Sequence, residues 1–132
     1  MNRSTVVGLL LGLSVCGNVL AADHSDCKDD SRYPTISKSE LKEVVAKKSA
    51  VIVDVNSEES YKKEHIPGAV HFKSHEEKFA QVLPKDKSEL IVAYCGGVKC
   101  EAWKKAAEQA CALGYTNIRH FKEGIKGWVA KS

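Results

Sequence analysis

The sequence predicts an α/β domain built on an open, mostly parallel sheet with helices on both faces. Two β-branched or apolar runs carry the first part of that reading. Residues 50–55 (Ala-Val-Ile-Val-Asp-Val) and 90–94 (Leu-Ile-Val-Ala-Tyr) have strand length and little polar alternation, as in strands buried on both sides. Between and after them, apolar residues recur at helical spacing. Strands and helices therefore alternate along the chain, and that order favours parallel strands joined by crossover helices.

The chain has 132 residues, enough for one small domain. A hydrophobic fraction of 43% and a charged fraction of 28% are ordinary for a soluble globular protein. The net charge of +3 comes from dispersed basic residues, so nucleic acid is not an expected partner and the lysines read as a solvated surface.

The amino-terminal 22 residues read as a secretory signal peptide. Arg3 gives a short positive region, residues 6–15 form an apolar run, and Ala21-Ala22 supplies small residues before polar Asp23. The run is too short for a stable transmembrane helix, so no membrane association is expected after cleavage. Leu13-Ser14-Val15-Cys16 is faintly like a lipoprotein box, but Val15 stands where a small residue is required. The expected product is a soluble periplasmic or secreted protein of 110 residues. It retains four cysteines: Cys27, Cys95, Cys100 and Cys111. Four cysteines in an exported domain suit two structural disulfides. A chain of this size can also build a core without them, and their clustering near one Gly-rich turn suits chemistry.

Residues 23–36 read as a polar, loose lead-in that holds Cys27, and residues 37–132 as the domain. Ser37-Lys38-Ser39-Glu40 has capping-box spacing, followed by an apolar stripe at Leu41, Val44 and Val45. Residues 50–55 form the first buried strand, and residues 57–64 suit a short surface helix. His65-Ile66-Pro67-Gly68-Ala69 is a turn marked by its Pro-Gly pair. Residues 70–72 give a short strand and 75–83 a helix that stops at Pro84. The strand at 89–94 leads to Cys95. A helical pattern then opens at about Cys100, with Trp103, Ala106, Ala107, Ala110 and Leu113 on its apolar stripe and Gly114 at its C′ position. Cys111, at the stripe's edge, reads as structural. Residues 117–121 form a last strand, and Gly124 precedes a short helix carrying Ile125 and Trp128.

Residues 90–100 (Leu-Ile-Val-Ala-Tyr-Cys-Gly-Gly-Val-Lys-Cys) hold the candidate site. A buried strand that turns into a helix places Cys95 at the carboxyl end of the sheet, where open α/β sheets bind ligands. Gly96 and Gly97 let successive backbone N–H groups curl around whatever the sulfur carries. The following helix start favours thiolate over thiol. The plainer reading is a buried cysteine that ends a strand.

Taken together, these residues resemble a single-domain rhodanese-like protein. Val53-Asp54-Val55 is similar to the family's strand ending in Asp-Val-Arg. Residues 61–69 (Tyr-Lys-Lys-Glu-His-Ile-Pro-Gly-Ala) resemble its aromatic…His-Ile-Pro-Gly-Ala signature. Tyr94-Cys95 matches the strand delivering its catalytic cysteine, and Gly114-Tyr115-Thr116-Asn117-Ile118 with Gly124-Ile125-Lys126-Gly127-Trp128 matches its closing pattern. The resemblance implies a sulfurtransferase. Cys95 would take a sulfane sulfur from a donor such as thiosulfate or a persulfide and pass it to a thiol or cyanide. The backbone of Gly96, Gly97, Val98, Lys99 and Cys100 would bind the anionic groups. It implies no metal and no organic cofactor.

Four positions depart from the family pattern. Cys100 stands where many relatives hold an anion-binding arginine, and Val98 where a glycine is usual. Asn56 replaces the arginine after Asp-Val, and Glu123 the first glycine of a Gly-Gly pair. Lys99 offers only a flexible point charge in the loop. Phosphatase or arsenate-reductase chemistry would need a loop arginine that the chain lacks. The departures keep two alternatives open: a thiol-disulfide or sulfur-relay protein using Cys95 with Cys100, and a catalytically silent rhodanese-like binding module. His24-x-x-Cys27 and His71-x-x-x-His75 have metal-like spacing but do not share a predicted helical face, so no metal site is expected. His65 reads as a turn-stabilising residue, and Trp103 and Trp128 as core.

Overall fold

The computed structural model describes residues 24–131; the segment read as a signal peptide, with Cys16, lies outside the described residues. Four strands, β1 (Ala50–Asp54), β2 (Val70–His71), β3 (Leu90–Tyr94) and β4 (Ile118–Phe121), pair in parallel in the order β2-β1-β3-β4. β3 is central, with Asp54 beside Tyr94 on one side and Phe121 beside Tyr94 on the other. The helices are α1 (Lys38–Lys47), α2 (Glu58–Lys63), α3 (Phe72–His75), α4 (Trp103–Ala112) and α5 (Gly124–Val129).

The period of two along β3 sorts the core into two layers. Ile91, Ala93 and Cys95 join Phe72, Phe79, Trp103, Ala106 and Ala110 on one face. Val92 and Tyr94 join Leu41, Ile66, Phe121 and the half-buried Trp128 on the other. So α4 covers one face while α1 and α5 cover the other, as the strand–helix alternation predicts.

Local chemistry sets the element ends. Ser37 Oγ accepts from the Glu40 N–H at 3.2 Å, and the Glu40 carboxylate accepts from the Ser37 N–H at 3.0 Å, which completes the capping box. Gly114 follows α4 with φ +95°, a conformation that favours glycine. Within the second layer, Asp54 is fully buried. The Tyr94 hydroxyl donates to Asp54 Oδ2 at 2.5 Å and accepts from the Ile66 N–H at 3.0 Å, while Asp54 Oδ1 accepts from the Asn56 N–H at 2.7 Å. Burial first, then the bond to Asp54, raises the Tyr94 phenol well above its usual range.

Several elements differ from expectation. The segment read as one helix over 75–83 holds only the last residue of α3, followed by a 3₁₀ stretch, Glu76–Val82, kinked at Lys78. The helix expected to open at about Cys100 begins at Trp103, after a turn. The lead-in is not loose. Short 3₁₀ turns at His24–Lys28 and Asp30–Arg32 bring Cys27 and Tyr33 into the core. Cys27 is bonded to Cys111, and the Tyr33 hydroxyl donates to the Cys27 carbonyl. Thr35 bridges His120 in parallel, with the His120 N–H donating to the Pro34 carbonyl at 3.1 Å and the Ile36 N–H to the His120 carbonyl at 3.0 Å. That bridge covers part of β4, which would otherwise be an open sheet edge. Polarity hid this docking, because only three of the segment's described side chains, Cys27, Tyr33 and Ile36, reach the core.

Candidate functional site

Cys95 is the first residue past β3, at the carboxyl edge of the sheet, and is 2% exposed. The loop after it is tied down by α5. The Ile125 N–H donates to the Cys95 carbonyl at 2.9 Å and the Lys126 N–H to the Gly96 carbonyl at 3.0 Å. The C=O and N–H of a trans peptide point in opposite directions, so the N–H groups of Gly96 and Gly97 are turned away from α5. Among the described residues, the N–H groups of Gly96, Gly97, Val98 and Lys99 donate to no protein acceptor. The Cys100 N–H is different: it is spent on the Gly97 carbonyl at 3.0 Å, so Cys100 adds no donor to the loop.

Gly124 makes this packing possible. Its φ is +62°, and a Cβ there would lie 2.6 Å from the Cys95 oxygen, the Gly96 carbon and the Gly97 nitrogen. Only a residue without a Cβ lets α5 approach the loop this closely. Asn56 lies on the loop's other flank. Its Oδ1 is 3.6 Å from where a Cβ of Gly96 would sit, and its buried Nδ2 has no partner among the described residues. That amide is an unspent donor at the position where the family usually has arginine.

Cys95 and Cys100 are joined in a disulfide with their Cα atoms 6.3 Å apart. The two sulfurs sit in different surroundings. Cys95 lies in the core, whereas Cys100 is half-buried against it. Val98 is 63% exposed at the loop's tip. The loop separates two cavities. One, of about 470 Å³, is lined by Lys38, Gly97, Val98, Glu123, Lys126 and Lys131 among others. Lys38 is already engaged, donating to the carbonyls of Gly127 at 2.8 Å and Ala130 at 2.7 Å. The other, of about 260 Å³, is lined by Cys100, Trp103 and His120 among others. Because α4 begins at Trp103, its amino end lies nearer Cys100 than Cys95 in sequence.

The remaining candidates are occupied elsewhere. His65 Nδ1 meets the Tyr61 carbonyl at 2.7 Å and its ring stacks on Tyr61 at 3.9 Å, which holds the Pro-Gly turn. His71 is buried between Ser74 Oγ and the Asn56 carbonyl, each at 2.8 Å, and His75 Nδ1 meets the His71 carbonyl at 2.9 Å. Among the described residues, no group of three or more His, Cys, Asp or Glu is placed to hold a metal ion. None of their helices is long and apolar enough to cross a membrane.

A parallel α/β sheet that delivers one cysteine into a turn of free N–H groups is a fold for carrying an anionic sulfur or oxyanion. The family model for the rhodanese-like domain matches residues 37–131, and the chain belongs to that family. Among similar proteins, thiosulfate sulfurtransferase GlpE of Coxiella burnetii is 29% identical over 99 residues, covering 74% of this chain and 89% of that protein. Human thiosulfate:glutathione sulfurtransferase is 31% identical over 111 residues, covering 74% and 95%. The solved structure of the human single-domain sulfurtransferase TSTD1 superposes with a TM-score of 0.62 at 27% identity, over 75% of this chain and 97% of that one. Family membership gives the chain a sulfur-transfer role in general terms.

Proposed function

We propose that the protein is an exported sulfurtransferase that carries a sulfane sulfur as a persulfide on Cys95 and delivers it to a thiol or cyanide. The observation that carries this reading is the position of Cys95, at the end of β3 in a loop of uncommitted N–H groups held by α5. With a thiosulfate-like donor, the Cys95 thiolate attacks the outer sulfur and sulfite leaves with the bonding electrons. An acceptor thiolate then attacks the outer persulfide sulfur and restores the Cys95 thiolate. The loop N–H groups stabilise the anionic sulfur at each stage. Lys126 and Lys131, in the cavity against Gly97, supply positive charge for an anionic donor where the family's loop arginine is missing. Export is supported by the leader-like amino terminus and by two disulfides, which persist in oxidising compartments.

The Cys95–Cys100 bond favours a second element of the reading. Attack by Cys100 on the inner sulfur of a Cys95 persulfide yields this disulfide and hydrosulfide, so the pair can discharge the carrier and switch transfer off. Intact-mass measurement on the reduced protein tests the main reading. Thiosulfate should add one sulfur atom to the chain and should add none to Cys95→Ser. Persulfide formation by Cys95→Ser would remove Cys95 from the role. Export is tested separately, by sequencing the amino terminus of the extracytoplasmic protein, which should begin at Ala22 or Asp23.

A further inference from the structure

We propose that the cavity beside Cys100 admits a low-molecular-weight thiol, that this thiol reopens the Cys95–Cys100 disulfide by attacking Cys100, and that His120 takes the thiol's proton. The inference rests on the reading of Cys95 as carrier only in naming what is switched back on.

Access decides which sulfur is attacked. With the disulfide closed, Cys95 is 2% exposed, which keeps a reductant from its sulfur in this state. Cys100 is half-buried and forms part of the wall of a cavity with Val98, Trp103, Lys104, His120 and Lys122. The cavity's volume of about 260 Å³ lies below the roughly 300–1,000 Å³ typical of sites for drug-sized ligands, which suits a small thiol.

His120 is set up as a proton acceptor in that wall. Its Nδ1 lies 2.9 Å from the Tyr33 carbonyl oxygen. A carbonyl can only accept, so Nδ1 carries the hydrogen and the neutral ring keeps a lone pair on Nε2. The ring is fixed by stacking on Trp103, with centroids 3.8 Å apart and planes 3° from parallel. Burial, the largest influence, lowers its pKa; the Tyr33 carbonyl opposes this, Lys122 and Lys104 lower it further and Asp30 raises it. Lys104 is itself paired with Asp30 at 2.7 Å and Glu101 at 3.5 Å. The Tyr33 phenol, raised to about 12 chiefly by burial, stays neutral. The ring is therefore neutral at pH 7 and able to accept.

The step balances as follows. His120 Nε2 takes the proton of R–SH, and the thiolate attacks Cys100 Sγ. The S–S bond breaks with its electrons on Cys95 Sγ, which leaves as a thiolate into the turn of N–H groups at Gly96 and Gly97. A mixed disulfide R–S–S–Cys100 remains. A second thiol, as its thiolate, attacks the R sulfur, releasing R–S–S–R and the Cys100 thiolate. Two small thiols are oxidised, and one protein disulfide is reduced.

Glutathione at limiting concentration is the probe. The oxidised full chain is quenched by alkylation during reduction and peptide-mapped. The adduct should sit on Cys100, with Cys95 alkylated as a free thiol. His120→Gln should slow reduction about tenfold or more at pH 7. The deficit should close above about pH 9, where the reductant is already a thiolate, a recovery that a damaged fold would not show. A glutathione adduct on Cys95, or a His120→Gln rate equal to the parent's at pH 7, overturns the proposal. If His120→Gln fails to fold, the adduct position decides alone. None of these readouts uses sulfur transfer, so a protein that failed the thiosulfate mass test would still be judged here.

Discussion

The bond between Cys27 and Cys111 should carry a large share of the domain's stability. The perturbation is the double variant Cys27→Ala/Cys111→Ala. The cross-link spans 84 residues, and the chain-entropy relation for a loop of that length gives about 4.6 kcal/mol at 25 °C. The same relation gives about 2 kcal/mol for Cys95–Cys100, which spans 5 residues. The assay is urea unfolding without reductant, so that each variant keeps its other disulfide. At a slope of about 2 kcal/mol/M, the first variant's midpoint should fall by about 2.3 M and that of Cys95→Ala/Cys100→Ala by about 1 M. A loss below about 1 kcal/mol for the first variant would refute the reasoning, as would a larger loss for the second. The ordering bears on the proposed switch: breaking the long-range bond would sacrifice more fold stability than breaking the short one, so the short loop is the bond a thiol would open first.

Three other outcomes are expected. Gly124→Ala should cost about 2–5 kcal/mol in urea unfolding, from the left-handed φ and from contact with the Cys95–Gly97 backbone; a cost under about 0.5 kcal/mol would show that the loop yields easily. Tyr94→Phe leaves the buried Asp54 carboxyl and the Ile66 N–H short of a partner, and should lose about 2–4 kcal/mol, with an unchanged midpoint counting against the network. The pKa of His120 in the fold lies below its ordinary value near 6.5, so the unfolded chain binds a proton more readily. The stability this confers is present above about pH 6.5 and is lost as the pH falls through the lowered value. Urea midpoints measured from pH 7.5 to 5 should therefore decline, and His120→Gln should flatten the decline; equal slopes in the two proteins would contradict it.

The sheet and its order of elements were legible because both-face burial leaves continuous apolar runs at 50–53 and 90–94, and because Ser37 and Gly114 mark helix ends chemically. The loop after β3 was legible for the same reason, as a strand that stops before Cys95 and two glycines. What the sequence hid is long-range. Nothing local pairs Cys27 with Cys111 across 84 residues, and a polar composition disguised a segment held by one disulfide, by buried Tyr33 and Ile36, and by the Thr35 bridge. His120 was passed over because its meaning depends on Tyr33 and Trp103, 87 and 17 positions away. The parallel bridge between Thr35 and β4 brings Tyr33 to His120, and α4 brings Trp103. The helix start was misplaced by three residues because the turn at 98–102 keeps a helix-compatible composition without a capping side chain at Ala102.

The tie between α5 and the cysteine loop also has a consequence for the order of events during synthesis. A polypeptide emerges amino end first, so Cys95 appears thirty residues before Ile125, whose N–H fixes the Cys95 carbonyl. Until Gly124 has seated against the loop, no framework turns the Gly96 and Gly97 amides away from α5. On the proposed carrier reading, the turn of N–H donors around the Cys95 thiol is complete only once the closing helix is in place. If Cys95 carries sulfur as proposed, a chain arrested between Cys95 and α5 would be spared premature loading, and transfer activity would report that the C-terminal elements have folded.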